Sequence, residues 1–176
     1  MSTQLSFLRQ QRTDDFLVWL LNQLIYLMPR SQLAVSLTVQ GEGATQELIA
    51  AYARGIRHFP GSILLKAELS FLQLPYIVLT GAKLPEVDFW ATNLAGADLR
   101  YADLSGAELM NTNLIGANLT GANLTGASLM GTNLTGAILC NACLRDSNLS
   151  GTKLQNADLT NANFQGAVTN NICLDF

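Results

Sequence analysis

Most features that would indicate an enzyme or a nucleic-acid-binding protein are scarce or missing in this chain. Its 176 residues include one histidine, His58, so the sequence has no zinc-hydrolase or histidine-cluster pattern, and it has no Walker or dinucleotide-binding glycine pattern. Only 13% of the residues are charged and the net charge is −3, whereas nucleic-acid binding requires clustered Lys and Arg. We therefore predict a protein that is not an enzyme, needs no cofactor or metal ion and does not bind nucleic acid directly.

A long apolar run is also missing. Residues 16–28 are apolar except for two polar side chains, and this stretch is shorter than the roughly 20 residues that a membrane-spanning helix needs. Asp14 and Asp15 stand where the basic flank of a signal peptide would lie. We predict a buried core helix over residues 14–28, with an interfacial membrane anchor as the alternative, and we expect a cytoplasmic protein without a transmembrane segment.

The chain does contain a five-residue repeat. Every fifth residue from 84 to 164 is Leu, except for Phe89 and Phe164, and a small residue stands two positions earlier nearly every time. The commonest unit reads A-[DN]-L-x-x, as at residues 97–101. A period of five fits neither a helix nor a strand, so the chain must turn a corner in every unit.

This repeat resembles that of the pentapeptide-repeat family, and the resemblance covers roughly residues 62–167. It implies an all-β solenoid, a right-handed quadrilateral β-helix in which four units make one square coil. Residues 20 apart would then stack at a spacing of about 4.8 Å, and about five coils would be about 25 Å long. The resemblance also implies that each centre residue and the small residue before it point inward, whereas the other three positions face water.

Residues 1–61 have a different pattern and are predicted to form a small α-rich cap on the β-helix of residues 62–176. Alternation of apolar and polar residues over 33–39 predicts a strand. Residues 45–58 predict an amphipathic helix, with His58 in its last turn, where a basic side chain complements the helix dipole. Such a segment would cover the first open edge of the solenoid, which would otherwise offer unpaired backbone groups to another chain.

The one motif whose side chains could carry redox or metal chemistry contains two cysteines. Cys140 and Cys143 form a C-x-x-C pair, which can be a redox pair or half of a metal site. Both fall on outward positions of the repeat, and the sequence contains no second such pair and no neighbouring histidine. We interpret them as substitutes for the Thr and Asn of the repeat, and a redox or metal protein using them stays an alternative.

Stacking of residues 20 apart predicts an apolar ridge on the solenoid surface. On two adjoining sides, apolar residues follow the centre in a surface otherwise built of Asn, Thr and Ser, and Asp88 and Glu108 lie beside them. The candidate contact ridge consists of Trp90, Met110, Met130 and Ile115. Because a rimmed apolar patch is typical of protein contacts, we predict that the ridge binds a partner protein. The alternative is that part of the N-terminal segment covers it.

An apolar tail is predicted at the C-terminal end, where Thr169 breaks the column of centre residues. The candidate dimer end consists of Val168, Ile172, Leu174 and Phe176. An open coil end beside apolar side chains can be completed by a symmetry mate, so a homodimer through the C-terminal coil is predicted. Self-capping by the tail is the alternative.

These patterns together predict a non-enzymatic protein-interaction scaffold that binds a partner through its solenoid faces or its C-terminal end. The family resemblance implies a second possibility, a DNA-mimicking protein that binds gyrase. Members of that group are strongly acidic dimers, whereas residues 62–176 carry nine acidic and five basic side chains. We therefore place the scaffold first and the DNA mimic second.

Overall fold

A computed structural model describes residues 37–174. The predicted helix over 14–28, the first part of the predicted strand and Phe176 lie outside these residues. Within the described range one helix is present, α1, which runs Ala44–Ala53. No extended strand is assigned there; the β structure consists of isolated parallel bridges.

The bridges join residues that are 20 apart. The first pairs His58 with Val78, and the last pairs Lys153 with Cys173. Four five-residue units therefore make one coil, and each coil hydrogen-bonds to its neighbours, as predicted. The bridged region begins a few residues before the boundary predicted between the two domains, and that boundary stays a prediction.

The chain turns a corner after every centre residue. Ala97 N–H donates to the carbonyl of Leu94, three residues earlier, over 3.0 Å, and Gly96 between them has a φ of 65°. This combination is typical of a type II turn, which needs positive φ at its third residue and so favours Gly or Asn there. Most corner residues of the repeat are Gly or Asn for this reason, although Tyr101 adopts a φ of 58° at one corner.

The interior is a narrow column of Leu and small side chains. Every centre residue from Leu84 to Leu149 is 0% exposed, and every small residue from Ala82 to Thr152 is at most 1% exposed. The predicted register is therefore confirmed: the centre and the residue two places before it point inward. Large and small side chains alternate along the chain, which lets them fill a tube too narrow for Leu alone.

Buried threonines replace Ala at one inward column without leaving unsatisfied hydroxyl groups. The column consists of Thr92, Thr112, Thr132 and Thr152. Each hydroxyl donates to a carbonyl in the preceding coil, as Thr112 Oγ1 does to Phe89 over 2.7 Å. A buried polar group with such a partner costs little stability, so the core tolerates these residues.

The Asn or Asp before each centre accepts a backbone hydrogen bond. Trp90 N–H donates to Asp88 Oδ1 over 2.8 Å, and Thr120 N–H donates to Asn118 Oδ1 over 3.0 Å. The N–H after the centre is the one that the bridges and turns do not use, so these side chains satisfy it locally. This hydrogen bond explains why Asn or Asp recurs at the second position of the A-[DN]-L-x-x unit. Composition alone suggests only that this position is exposed to solvent.

Proline replaces that hydrogen bond at three places in the described residues. The position of the Asn or Asp is held there by His58, Gln73 and Lys83, and the corresponding centres are followed by Pro60, Pro75 and Pro85. Because proline has no N–H, these units have no donor that an Asn or Asp would need to satisfy. Proline also suits the second position of a type II turn, so the substitution fits the backbone as well.

Helix α1 is shorter than the sequence predicted. It does not extend over 45–58, because Gly55, with a φ of 99°, follows its last turn. Phe59 is fully buried as the centre of an early unit and does not lie on the helix. His58 pairs in the first bridge, so the prediction that it caps the helix was wrong.

The segment over residues 37–40 lies against the start of the solenoid. Leu37 N–H donates to the carbonyl of His58 over 2.9 Å, and Ile63 N–H donates to the carbonyl of Val39 over 2.8 Å. These bonds satisfy backbone groups that face away from the next coil. The described part of the predicted strand is therefore hydrogen-bonded to the solenoid, although no strand is assigned to it.

The last coil is less covered than the others. Leu159 and Phe164 point inward but are half-buried, whereas Leu139, one coil before Leu159, is 0% exposed. Within residues 37–174 no following coil covers these two side chains. The described solenoid thus has one end that is hydrogen-bonded to residues 37–40 and one end that is more open.

Candidate protein-contact surface

The square coil gives the solenoid four sides, each with two outward columns and a corner column. We name the sides, in order around the coil, after the outward residues Lys83, Trp90, Ile115 and Asp98. The Trp90 side has the buried centres Leu69, Phe89, Leu109, Leu129 and Leu149. It lies opposite the Asp98 side, because two corners separate them in either direction.

Three of the four predicted ridge residues stack on the Trp90 side. Hydrogen bonds between coils connect their levels: Ala91 N–H donates to the Met110 carbonyl over 2.9 Å, and Asn111 N–H donates to the Met130 carbonyl over 3.0 Å. Trp90 is 43% exposed and Met130 is 38% exposed, whereas Met110 between them is half-buried. The column is thus apolar and accessible over three successive coils.

Phe71 extends this column, and the sequence analysis missed it. Its ring packs edge-on against Trp90, with 4.7 Å between the ring centroids and 66° between the planes. It is 63% exposed, and Phe71 N–H donates to the Trp90 carbonyl over 2.9 Å. Phe71 is a corner residue, and comparing corner residues with the outward residue 19 positions later would have found the pair. We call Phe71, Trp90, Met110 and Met130 the apolar column.

Ile115 does not join the apolar column. It is 44% exposed, but it lies on the adjoining side, beyond the corner at Asn111. Its N–H donates to Asn113 Oδ1 over 3.1 Å, within its own unit. The structure therefore brings together three of the four predicted residues and places the fourth separately.

A column of carboxylates runs beside the apolar column. It consists of Glu68, Asp88 and Glu108, which bridges join in succession. Ser128 and Asn148 continue the same column, so its charge is confined to three levels. The Trp90 side thus combines apolar and acidic side chains on neighbouring lines parallel to the solenoid axis.

The described residues of the predicted dimer end, Val168, Ile172 and Leu174, belong to the repeat itself. Ile172 and Leu174 occupy the small and centre positions of a further unit, and Cys173 between them bridges to Lys153. Val168 is an outward residue and is 44% exposed. These residues therefore continue the solenoid, where a separate tail was predicted.

The two cysteines of the C-x-x-C motif have separate partners. A hydrogen bond from Cys140 to Asp158 raises the pKa of the Cys140 thiol and lowers the pKa of Asp158 to about 2. Cys143 Sγ lies 3.2 Å from Thr125 Oγ1, and this hydrogen bond lowers the pKa of Cys143. All three cysteines are free, and residues 37–174 contain no group of three His, Cys, Asp or Glu side chains that could hold a metal ion.

The chain matches the family model of pentapeptide repeats in eight copies, over residues 77–109, 107–146 and 142–175. These matches extend over more than half of the sequence and include every level of the apolar column except Phe71. Together with the 20-residue bridging, they support the coarser part of the predicted fold class, a right-handed quadrilateral β-helix, whereas its coil count and cap stay predictions.

Two solved structures align with this chain. A trypsin-treated QnrB1 variant, described as a plasmid-mediated fluoroquinolone resistance protein, aligns with a TM-score of 0.58 and 24% identity over 66% of this chain. The aligned region spans 64% of that protein. Rfr23, a pentapeptide-repeat protein from the cyanobacterium Cyanothece 51142, aligns with a TM-score of 0.43 and 26% identity over 74% of this chain and 99% of Rfr23.

No curated protein sequence matches the chain. In residues 37–174, no helix has the length and hydropathy needed to cross a bilayer.

Proposed function

This chain belongs to the pentapeptide-repeat family, and from that premise we propose that it is a non-enzymatic scaffold that binds a partner protein through the Trp90 side. The proposal includes the finer architecture expected from the sequence, about five coils with an α-rich N-terminal cap. The predicted ridge is retained in a modified form, with Phe71 added and Ile115 treated as a separate exposed residue.

The exposed Phe71–Trp90 pair is the observation that carries this proposal. Trp90 and two Met side chains occupy an outward column in a surface built mainly of Asn, Thr and Ser, and Phe71 packs on Trp90 from a corner position that is mostly Gly or Asn elsewhere. Trp and Met are enriched at protein interfaces because they bury much apolar area with few polar atoms to satisfy. A protein scaffold needs no reactive group, and Asp88, Asp98 and Asp158 each accept a backbone hydrogen bond that explains an acidic residue at this position of the repeat.

The alternative of a DNA-mimicking gyrase-binding protein is less well supported. Mimicry would favour a continuous acidic stripe along the solenoid, whereas the carboxylate column ends at Glu108 and continues with neutral residues. The likeness to QnrB1, at 24% identity, supports the fold alone. The redox or metal alternative would have to use Cys140 and Cys143 through their separate hydrogen bonds.

We also retain the homodimer through the C-terminal coil as part of the proposal. Leu174 is 40% exposed, and Leu159 and Phe164 are only half-buried at the open end. A second copy stacked there would bury these side chains and pair the backbone groups of the last coil. Contact with a partner through the Trp90 side does not depend on this dimer.

Quantitative capture of partner proteins from the source cells by the full chain tests the scaffold. Trp90→Ala should weaken capture by about 30-fold, the effect of removing a hot-spot residue. Tyr76→Ala is the matched control, because Tyr76 is an aromatic residue that is 70% exposed on a corner away from the Trp90 side. Equal loss with both variants, or no loss with Trp90→Ala, would contradict the proposal.

A further inference from the structure

The carboxylate column on the Trp90 side has no cationic partner in the described residues. Glu68 and Glu108 are exposed and make no side-chain hydrogen bond or ion pair there, and Asp88 accepts hydrogen bonds only from Ser70 Oγ and Trp90 N–H. Bridging places these three carboxylates at successive levels about 4.8 Å apart, where like charges repel. The column therefore keeps a negative potential that a cationic partner would relieve.

The basic residues of the other sides are arranged differently. Arg100 pairs with Asp98 over 2.7 Å on the opposite side, and Lys66 at a corner pairs with Glu86 over 2.9 Å. Lys83 bridges directly to Asp103. Among the four sides of the described solenoid, the Trp90 side alone combines several carboxylates with no Lys or Arg in its two outward columns.

The backbone of this side is not available for strand addition. Asp88 N–H donates to the Ala67 carbonyl over 2.9 Å, and Phe89 N–H donates to the Glu108 carbonyl over 2.8 Å. An extended peptide could therefore add no main-chain hydrogen bonds here, which removes the usual basis of strand recognition. Its side chains on one face would also repeat at about 6.6–7 Å, which does not match a coil spacing of about 4.8 Å.

An α-helix parallel to the solenoid axis fits the two columns better. Residues three or four apart on a helix repeat along one face at about 5.4 Å, so two turns cover about 11 Å. The levels from Glu68 to Glu108 cover two coil spacings, or about 10 Å. A cationic stripe can thus follow the carboxylates while a neighbouring apolar stripe packs on Trp90 and Met110.

We propose that the Trp90 side binds a cationic amphipathic helix of a partner protein, with Lys or Arg over Glu68, Asp88 and Glu108 and apolar residues against the apolar column. This inference rests on the proposed function and specifies the chemistry of the partner. A second copy of the described solenoid is a poorer fit, because none of its sides presents a row of unpaired basic residues beside an apolar column.

A model peptide tests this inference on the full chain. The probe is an amphipathic Leu/Lys peptide of about 14 residues, roughly 21 Å as a helix. Its control has the same composition in a scrambled order without an apolar face. The chain contains two tryptophans, so Trp19→Phe leaves Trp90 as the only indole reporter. Binding of the amphipathic peptide should shift the Trp90 emission to shorter wavelength, and its affinity should fall as salt is raised.

Two charge-matched triple variants identify the surface. Glu68→Gln/Asp88→Asn/Glu108→Gln should weaken peptide binding by at least about tenfold, since each exposed pair contributes modestly and three act together. The control neutralises three carboxylates elsewhere, Asp98→Asn/Asp103→Asn/Asp158→Asn, and should leave affinity within about twofold. A cooperative thermal transition in each variant would show that both variants are folded.

Three outcomes would overturn the inference: equal binding of the scrambled peptide, equal weakening in the two triple variants, or Trp90 emission that is already blue-shifted and unaffected by the peptide. The last outcome would mean that another part of the chain covers this side. Partner capture that depends on Trp90 while the amphipathic peptide fails to bind would retain the scaffold and reject only the cationic helix.

Discussion

Inward and outward positions of the five-residue unit differ in how much the residue type varies from one unit to the next. Inward centres are Leu in nearly every unit and are fully buried through most of the solenoid, whereas outward positions range from Glu68 to Trp90 and Thr120. The interior must fill a tube of constant width, so one solution recurs at every level. The exterior has no such constraint. Outward residues other than Asn, Thr and Ser are therefore more informative about binding than the inward residues are.

The largest expected effect is a difference in stability between substitutions at two adjacent residues, one inward and one outward. Leu119→Asp places a charge without a partner in the buried column, and we expect loss of more than about 4 kcal/mol of stability, enough to unfold or aggregate the protein. Asn118→Asp keeps the acceptor that Thr120 N–H uses and should change stability by about 0.5 kcal/mol or less. Comparable melting temperatures for the two variants would show that the inward and outward positions had been exchanged.

A smaller difference in stability is expected between alanine substitutions at two corner glycines. Gly116 and Gly121 have φ of 63° and 65°, so alanine should strain the backbone at both by about 1–2 kcal/mol. A Cβ at Gly121 would lie 2.7 Å from the Tyr101 ring, whereas Gly116 has nothing within 4 Å. Gly121→Ala should therefore cost about 0.5–1.5 kcal/mol more, since Tyr101 must leave its rotamer.

Chemical denaturation of the two alanine variants, each with and without Tyr101→Ala, provides the measurement. Tyr101→Ala should remove the extra cost at Gly121 and leave the cost at Gly116 unchanged. Equal costs at the two glycines in the presence of Tyr101 would mean that the ring does not pack over the corner.

The smallest effect concerns one outward carboxylate. Asp158 accepts hydrogen bonds from Cys140, Thr160 Oγ1 and Thr160 N–H, which lower its pKa from 3.8 to about 2. Its contribution to stability is therefore present above pH about 4 and is lost as the pH falls toward 2. Asp158→Asn should reduce the change in melting temperature between pH 5 and pH 2, because the substituted side chain no longer titrates. An identical acid response of wild type and Asp158→Asn would refute this assignment.

The repeat made the solenoid predictable because each unit carries the same inward pattern. The corners follow from a period that neither helix nor strand can accommodate. The resemblance to the pentapeptide-repeat family implied the stacking of residues 20 apart and the burial of Leu119. The Asn or Asp at the second position of each unit was harder to interpret. Its role depends on the backbone path, which leaves the Thr120 N–H without a backbone acceptor and brings it to Asn118 Oδ1.

The exceptions to the repeat were predicted less well. Helix α1 was extended too far because the apolar residues after Gly55 continue a helical spacing by chance, although Phe59 already serves as a centre residue. Phe71 was missed because corner residues were not compared with the coil above. Leu174 was assigned to a tail because Thr169 interrupts the Leu column one unit earlier.

Site-specific photocross-linking in the source cells tests the central claim most directly, that one outward side makes the protein contact while its opposite does not. A photoreactive phenylalanine analogue placed at Met130 reports on the Trp90 side, and the same analogue at Thr120 reports on the opposite side of an adjacent coil. We expect a cross-linked partner protein at Met130 and none at Thr120. A partner captured at Thr120 alone, or equally at both positions, would contradict the account.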